Sequence, residues 1–354
     1  MALYGLGSNS SYQLSLNHTN DVSIPSKTTL DLPDNELPVK IAAGGNHTLL
    51  LTNKGSLYAT GANKYGQCLT PACDYIRGFR RLDGVWVDCA ATWEGSVVID
   101  DGRSVWSFGK IKDHEKLSGW KPGKDSLVAK VETTSSTHGN RCEQEAGAGT
   151  GAGTGAGEQS KVLGVFGGVQ HFLVLTTDGV FGFGDSRKGQ LGISQSNHPS
   201  AMSSETIVQA ACGKEFTCLL SATGHLELHT ISTKHNLHNI PSHRPVRSLV
   251  ASWSTIALLD VDGKITSWGR SDHGQFSPAG LPPISQVAAG SEHFIALSED
   301  HKVYAWGWNE HGNCGREDKM DVTSVHEVVI PEGEKAMYVA AGCGTSWIWT
   351  KKLN

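Results

Sequence analysis

The sequence predicts an all-β protein, a seven-bladed β-propeller closed into a ring. Three observations lead to this prediction. One pattern of residues recurs along the chain, turn residues stand at a near-constant distance inside each copy, and one copy is divided between the two ends of the chain. Repetition of one supersecondary unit is typical of arrays in which each unit buries its apolar face against its neighbours. Such an array favours a binding platform over an enzyme.

Each copy contains Ala-Ala-Gly or a variant of it, a His or its substitute three residues later, an apolar stretch, a turn, and an aromatic stretch ending in Gly. The first copy begins at Ile41, and a second clear copy begins at Val287. The His, or the residue that replaces it, lies eight residues before the turn in five copies; these pairs are His47 and Gly55, His171 and Gly179, Phe216 and Gly224, Thr255 and Gly263, and His293 and His301. In the copy that follows the first along the chain, this distance is seven, from Gly95 to Gly102. Six full copies and one shared copy predict seven blades.

Brief apolar runs between turn residues predict four short antiparallel strands per copy, arranged radially. The pairs Asp101-Gly102, Asp178-Gly179 and Asp262-Gly263 tolerate the positive φ angles of tight hairpins. The third strand carries a small residue between bulky ones, as at Ala59 and Ala305, which allows a neighbouring blade to pack closely. The Ala-Ala-Gly strand suits the innermost position, where strands crowd around a central channel.

The two ends of the chain contribute to one blade. A half-copy that begins at Val339 ends after its apolar strand, and residues 3–9 match the third-strand segment at residues 303–309. The N-terminal strand is therefore predicted to complete the C-terminal blade. This closure removes two exposed sheet edges, which would otherwise promote aggregation. The whole chain, residues 1–354, is predicted to be a single propeller.

Two segments depart from the repeat. Residues 15–38 are polar and contain three prolines, and they connect the first strand to the first full blade. Residues 113–160 form a long insertion with a low-complexity Gly and Ala run at 147–157, which has too little apolar content to bury a core. The insertion is predicted to be a flexible surface loop, and a partner-binding flap is the alternative.

Composition restricts the function. The net charge is −5 with no basic tail, which disfavours nucleic acid as a direct partner. No apolar run has the length of a membrane span, and the N-terminus lacks a signal pattern, so we expect no membrane association and a cytoplasmic and nuclear location. The eight cysteines include no Cys-x-x-Cys pair, which predicts reduced thiols and no metal site. We expect no cofactor.

The third strands end in a motif that identifies a family. Residues 61–67 fit Gly-x-Asn-x-x-Gly-Gln throughout, and residues 184–190 and 269–275 keep both glycines and the Gln. No Trp-Asp signature is present. The pattern resembles the regulator of chromosome condensation repeat, which implies a seven-bladed propeller. The resemblance covers nearly the whole chain outside the two departing segments.

The segments at 44–47, 290–293, 306–315 and 345–348 are similar to one fungal branch of that family, the alpha-tubulin suppressors. That resemblance implies a heterodimer with a small zinc-binding protein of diphthamide synthesis. It also implies an indirect role with the Elongator complex in wobble-uridine modification of tRNA, and a role in diphthamide formation on elongation factor 2. The Gly and Ala insertion has no counterpart in the family pattern.

Loops between first and second strands and loops after third strands share one face of such a ring. Binding residues concentrate in loops held on a rigid scaffold. We therefore predict a partner-binding patch from the loops of the fifth and sixth blades, which consists of Trp253, Arg270, His273, Glu292, His293, Trp308, Glu310 and His311. Trp and Arg dominate binding hot spots, and packing does not require a large ring at either Trp. The alternative for His293 is a structural hydrogen bond, because His47 and His171 share its repeat position.

Catalytic motifs are missing from the sequence. It contains no Gly-x-Ser-x-Gly elbow, no His-Glu-x-x-His and no phosphate-binding Lys motif, so we expect a non-enzymatic interaction scaffold. Glu292-His293 and Glu310-His311 resemble metal ligands only superficially, since such pairs are common in polar loops. The alternative function is guanine-nucleotide exchange on a small GTPase, by analogy with the founding member of the repeat family.

Overall fold

A computed structural model describes residues 1–112, 161–192, 202–241 and 245–353. Within these residues the chain forms seven antiparallel sheets, which confirms the predicted all-β propeller class. The predicted insertion at 113–160 lies outside the described residues. No helix in the described ranges is long and apolar enough to cross a membrane.

We number the blades in the order in which their innermost strands occur. Blades I to III contain these strands: β3 Pro38–Ala43, β4 His47–Thr52, β5 Leu57–Asn63 and β6 Cys73–Arg81 in blade I; β7 Trp86–Ala91, β8 Gly95–Asp100 and β9 Val105–Gly109 in blade II; β10 Val162–Gly167, β11 His171–Thr176 and β12 Gly179–Gly184 in blade III. In each blade the strands pair in chain order, from the innermost outwards.

Blades IV to VII continue the ring: β13 Ile207–Cys212, β14 Thr217–Ser221 and β15 Leu226–His229 in blade IV; β16 Val246–Ala251, β17 Thr255–Asp260 and β18 Ile265–Gly269 in blade V; β19 Ile284–Ala289, β20 His293–Ser298, β21 Val303–Gly307 and β22 Glu327–Val328 in blade VI; β23 Glu334–Ala341, β24 Thr345–Lys352, β1 Ala2–Gly7 and β2 Val22–Lys27 in blade VII.

Blades I, VI and VII have the four predicted strands, whereas the described parts of blades II to V have three. In blade V the segment after β18 contains Pro278, Pro282 and Pro283, and proline has no N–H to donate to a strand ladder. In blade IV a 3-10 turn at Lys234–Asn236 follows the short β15. This blade, whose third strand lacks the usual closing Gly, is the most irregular.

The seven innermost strands line a central channel of about 360 Å³. Their Ala and Gly residues, among them Ala42-Ala43 and Ala288-Ala289, allow this close approach. Each of these strands also has an irregular register near its start, between residues 38 and 40 in β3 and between residues 284 and 286 in β19, for example. The apolar core lies between neighbouring blades rather than inside single ones, because each apolar cluster draws residues from adjacent sheets.

The ring is closed as predicted by the N-terminal strand. β1 lies between β24 and β2, with Leu3 opposite Trp349 and Gly5 opposite Trp347. Leu3 and Leu6 are buried. The Tyr4 hydroxyl donates to Glu334 at 2.9 Å, and the Thr350 hydroxyl donates to the same carboxylate, so one side chain of β23 ties both terminal strands together.

Three repeat-position histidines fasten neighbouring blades. His47, His171 and His293 are each buried and place Nε2 within 2.9, 3.1 and 3.0 Å of a hydroxyl in the second strand of the next blade. Burial lowers the pKa of all three to about 4. They are therefore neutral at physiological pH and act in the fold.

Candidate functional site

A cavity of about 480 Å³ opens on the predicted face of the ring, which we call the loop face. It is bordered by loops between first and second strands and by loops after third strands. Six of the eight predicted site residues line it: Trp253, Arg270, His273, Glu292, Trp308 and His311. The fold therefore brings together residues from blades V and VI that the sequence separates by up to 58 positions.

In each blade, one residue of the loop between the first and second strands lies at the loop-face end of the channel. These residues are Gly45, Trp93, Val169, Lys214, Trp253, Ser291 and Cys343. Backbone amides connect several of these residues around the ring: Trp93 donates to Val169 at 2.8 Å, and Trp253 donates to Ser291 at 2.7 Å. The Trp93 and Trp253 rings meet with centroids 5.5 Å apart, although blades II and V are not neighbours. Both rings line the cavity and the channel, so this pair separates the two spaces.

Glu292 holds Arg270 in place at the cavity wall. Its carboxylate accepts hydrogen bonds from Ser254 Oγ at 2.6 Å and Gln275 Nε2 at 3.0 Å, and its second oxygen lies 3.6 Å from Arg270 Nη1. Asp272 accepts a hydrogen bond from Arg270 Nη2 at 2.5 Å, which lowers the pKa of Asp272. The guanidinium is thus fixed between two carboxylates while one third of the side chain remains exposed.

Two His–Asp pairs repeat in adjacent blades. His273 Nδ1 donates to Asp321 at 2.8 Å, and His311 Nδ1 donates to Asp21 at 2.7 Å. In both pairs the His follows a third strand, and the Asp precedes the fourth strand of the next blade. Each pair ties two blades together, with about one third of each His side chain exposed.

Trp308 stands beside the second pair. Its ring meets the His311 ring edge to face at 5.2 Å, and its backbone N–H donates to the Glu292 carbonyl at 2.9 Å. A half-buried indole with a fixed backbone loses little freedom on binding, which is the property of an anchor residue. Trp308, Trp253 and Trp93 together make the cavity strongly aromatic.

Two predicted site residues lie elsewhere. His293 is fully buried beneath the loop face and bonds Ser346, so it cannot touch a partner. Its repeat position already indicated this alternative. Glu310 is exposed but does not line the cavity, although it is next to His311.

Blade IV contributes a cavity wall that was not predicted from the sequence. Lys214 places Nζ 5.4 Å from the Trp253 ring centroid, and the 3-10 turn adds Lys234 and His235. Lys214 occupies the same repeat position as Trp93 and Trp253, which is the signal that could have identified it. Among the described residues, no three His, Cys, Asp or Glu side chains are placed to hold a metal ion.

Family models support the repeat assignment. Two models described as the regulator of chromosome condensation (RCC1) repeat match residues 2–51, 177–220 and 300–349, and residues 39–67 and 284–313. An RCC1 repeat-containing protein of Schizosaccharomyces pombe, C10F6.04, is 33% identical over 372 residues, with 98% of each chain covered. The chain belongs to the RCC1 repeat family.

Other members of the RCC1 repeat family are more distant. The mouse secretion-regulating guanine nucleotide exchange factor is 24% identical over 83% of this chain and 65% of its own length. The human E3 ubiquitin-protein ligase HERC2 is 26% identical over 83% of this chain but only 6% of its own length. These two relatives are named for different activities.

Solved structures agree on the fold. Prp20p of Saccharomyces cerevisiae superposes with a TM-score of 0.78 at 18% identity, covering 100% of this chain and 92% of that one. Human WBSCR16 gives 0.74 at 18% identity, covering 99% and 100%. At these identities the likeness concerns the RCC1 propeller fold alone.

Proposed function

We propose that this RCC1-repeat propeller is a non-enzymatic scaffold that binds a small zinc-binding protein on its loop face. The cavity between blades V and VI carries the proposal, because it combines aromatic rings with fixed polar groups. Aromatic centres within polar surroundings are the anatomy of a protein interface. The zinc protein itself is implied by the resemblance to the fungal alpha-tubulin suppressors.

Through that heterodimer, the protein would support Elongator-dependent modification of tRNA wobble uridines and diphthamide synthesis on elongation factor 2. The propeller acts indirectly on Elongator, by presenting or shielding its small partner, and contacts neither nucleic acid nor membrane in this role. A cytoplasmic and nuclear location is part of the same proposal.

Trp308→Ala tests the interface. Loss of a central anchor should weaken binding of the purified zinc protein by about 2 kcal/mol, or roughly 30-fold in Kd. Isothermal titration calorimetry measures the affinity, and circular dichroism establishes that the variant is folded. Val261→Ala is the control, since Val261 is an exposed apolar residue of the hairpin between β17 and β18 and does not line the cavity. If Trp308→Ala and Trp253→Ala both bind as tightly as wild type, the interface lies outside the cavity.

The second candidate function is guanine-nucleotide exchange. It is favoured by the similarity to the mouse secretion-regulating exchange factor. Release of labelled GDP from purified small GTPases, with and without the propeller, separates the two functions. Acceleration of that release by the propeller alone would support the exchange factor, whereas unchanged release with tight binding of the zinc protein would support the scaffold.

A further inference from the structure

The outer strand of blade I, β6, forms a second surface together with the loop after β1. We call it the blade I rim and define it by Tyr12, Tyr75, Arg77, Arg80 and Arg81. We propose that the blade I rim binds an acidic segment of a partner protein. This site goes beyond the proposed binding of the zinc protein and does not depend on it.

Tyr12 occupies a position at which four other blades have glycine. Its φ is 62°, and the matching residues of four other blades are Gly66, Gly189, Gly274 and Gly312, with φ between 75° and 80°. A side chain in this left-handed region is disfavoured, and bulky residues are rare there. A tyrosine held in this unfavourable conformation, with part of the residue exposed, is consistent with a role for the ring itself.

A bulge in β6 directs Arg77 onto that ring. Ala59 is opposite Arg80 and Gly61 is opposite Ile76, so Thr60 alone faces the three residues at 77–79. Bulges of this kind re-aim side chains. The Arg77 guanidinium carbon lies 5.1 Å from the Tyr12 ring centroid, a stacking distance.

Tyr75 extends the aromatic surface. Its ring packs edge to face against Tyr12, with centroids 5.8 Å apart, and the side chain remains 45% exposed. Tyr and Arg are enriched among the residues that dominate protein interfaces. The two tyrosine rings and the Arg77 guanidinium are therefore preorganised for binding.

The outer strand β6 is basic, whereas the protein as a whole is acidic. Its nine residues contain three arginines and one carboxylate, Asp74, for a local charge of +2 in a protein of net charge −5. In the described parts of the chain, Arg77 and Arg80 have no carboxylate within ion-pair distance, whereas Arg187 and Arg270 are each paired with an Asp two residues away. A stacked guanidinium keeps its N–H groups free for bidentate bonds to carboxylates.

A protein segment fits this surface better than a nucleic acid. A nucleic acid needs many cationic contacts along its phosphate backbone, whereas this strand offers three arginines in a protein of net charge −5, enough for a short acidic segment only. A cavity of about 320 Å³ adjoins Tyr75, and the carboxylates of Asp74 and Glu94 that line it restrict the acidic segment to the arginine end of β6. The same cavity shares Asn46 and Trp93 with the loop-face cavity. An extended acidic segment can therefore follow β6 while another part of its protein reaches the loop face.

Fluorescence anisotropy with a fluorescein-labelled 12-residue peptide of alternating Glu and Ser tests the proposal, using the 354-residue chain without the zinc protein. At low salt, Arg77→Ala combined with Arg80→Ala should weaken binding at least fivefold, and Tyr75→Ala at least threefold. Arg247→Ala is the matched control, because Arg247 is an exposed arginine at the opposite face that also lacks a carboxylate partner among the described residues and should leave binding within twofold.

Thermal unfolding confirms that each variant is folded, and a labelled 12-nucleotide uridine RNA is titrated in parallel. Binding of the peptide that is weakened in the double variant and not in Arg247→Ala supports the proposal. Undetectable binding to wild type, or equal binding to the double variant, overturns it. Tighter binding of the RNA than of the peptide, lost in the double variant, would assign the blade I rim to nucleic acid and also overturns it.

Discussion

Replacing His293 by glutamine should reduce the pH dependence of the free energy of unfolding. His293 Nε2 lies 3.0 Å from Ser346 Oγ, and that hydroxyl donates its own proton to the Asn313 carbonyl at 2.7 Å. The imidazole must therefore donate from Nε2, as the amide of glutamine also can. Burial opposes any second proton on the ring and lowers its pKa to about 4.

The magnitude follows from the two pKa values. The unfolded chain binds a proton at this residue near pH 6.5, whereas the folded protein binds it only near pH 4. The contribution of His293 to the free energy of unfolding is therefore fully present above pH 6.5 and decreases as the pH falls from 6.5 towards 4. Each pH unit corresponds to about 1.4 kcal/mol, so His293 accounts for about 2 kcal/mol lost at pH 5. His47 and His171 add similar amounts, for a total of about 6 kcal/mol.

Urea unfolding followed by tryptophan fluorescence at pH 7.5 and pH 5.0 measures this loss. His293→Gln should have lower stability than wild type at pH 7.5, because packing is imperfect, but should lose about 2 kcal/mol less on acidification. His225→Gln, which changes a largely exposed histidine, serves as the control. An identical loss on acidification in wild type and His293→Gln would refute the assignment of a neutral buried imidazole.

Three further outcomes are expected. Deletion of residues 1–14 should lower the unfolding free energy by several kcal/mol, because it removes the closing strand, and the melting temperature reports the change. Deletion of residues 146–157, which lie outside the described residues, should leave the melting temperature and zinc-protein binding unchanged, because a Gly and Ala run has little apolar content. Loss of zinc-protein binding would show that the deleted segment is functional. Amide hydrogen exchange should be faster at Val169, whose N–H donates no backbone hydrogen bond within the described residues, than at Trp253, whose N–H donates to Ser291 at 2.7 Å, and equal rates would contradict this difference.

The fold was predictable because the repeat encodes it many times. The match between residues 3–9 and 303–309 predicted the closing strand, which the pairing of β1 with β24 confirms. The number of strands in each blade was less predictable. Outer strands depend on local breakers such as Pro282-Pro283, and the expectation of four strands per blade was wrong for blade V.

The site was predictable where it depends on blade order and not where it depends on distances across the ring. Loops of adjacent blades must share one face, which is why Arg270 and Trp308 line one cavity. No local pattern states that the rings of Trp93 and Trp253 meet across the channel mouth, or that Lys214 joins them. The Asp partners of His273 and His311 lie 48 and 290 residues away and were equally hidden.

The backbone hydrogen bonds at the channel mouth connect some neighbouring blades and not others. Lys214 donates to Trp253 at 2.9 Å and so continues a series of amide bonds through blades V, VI and VII. Between blades III and IV, no such bond joins the two described residues Val169 and Lys214. That seam depends instead on His171, on the Ile231 amide bond to Lys188, and on apolar packing. Since blade IV lacks this bond on its blade III side, whereas blade VI is bonded at the mouth to both of its neighbours, we expect the blade IV wall of the loop-face cavity to adjust to a partner more readily than the Trp308 side.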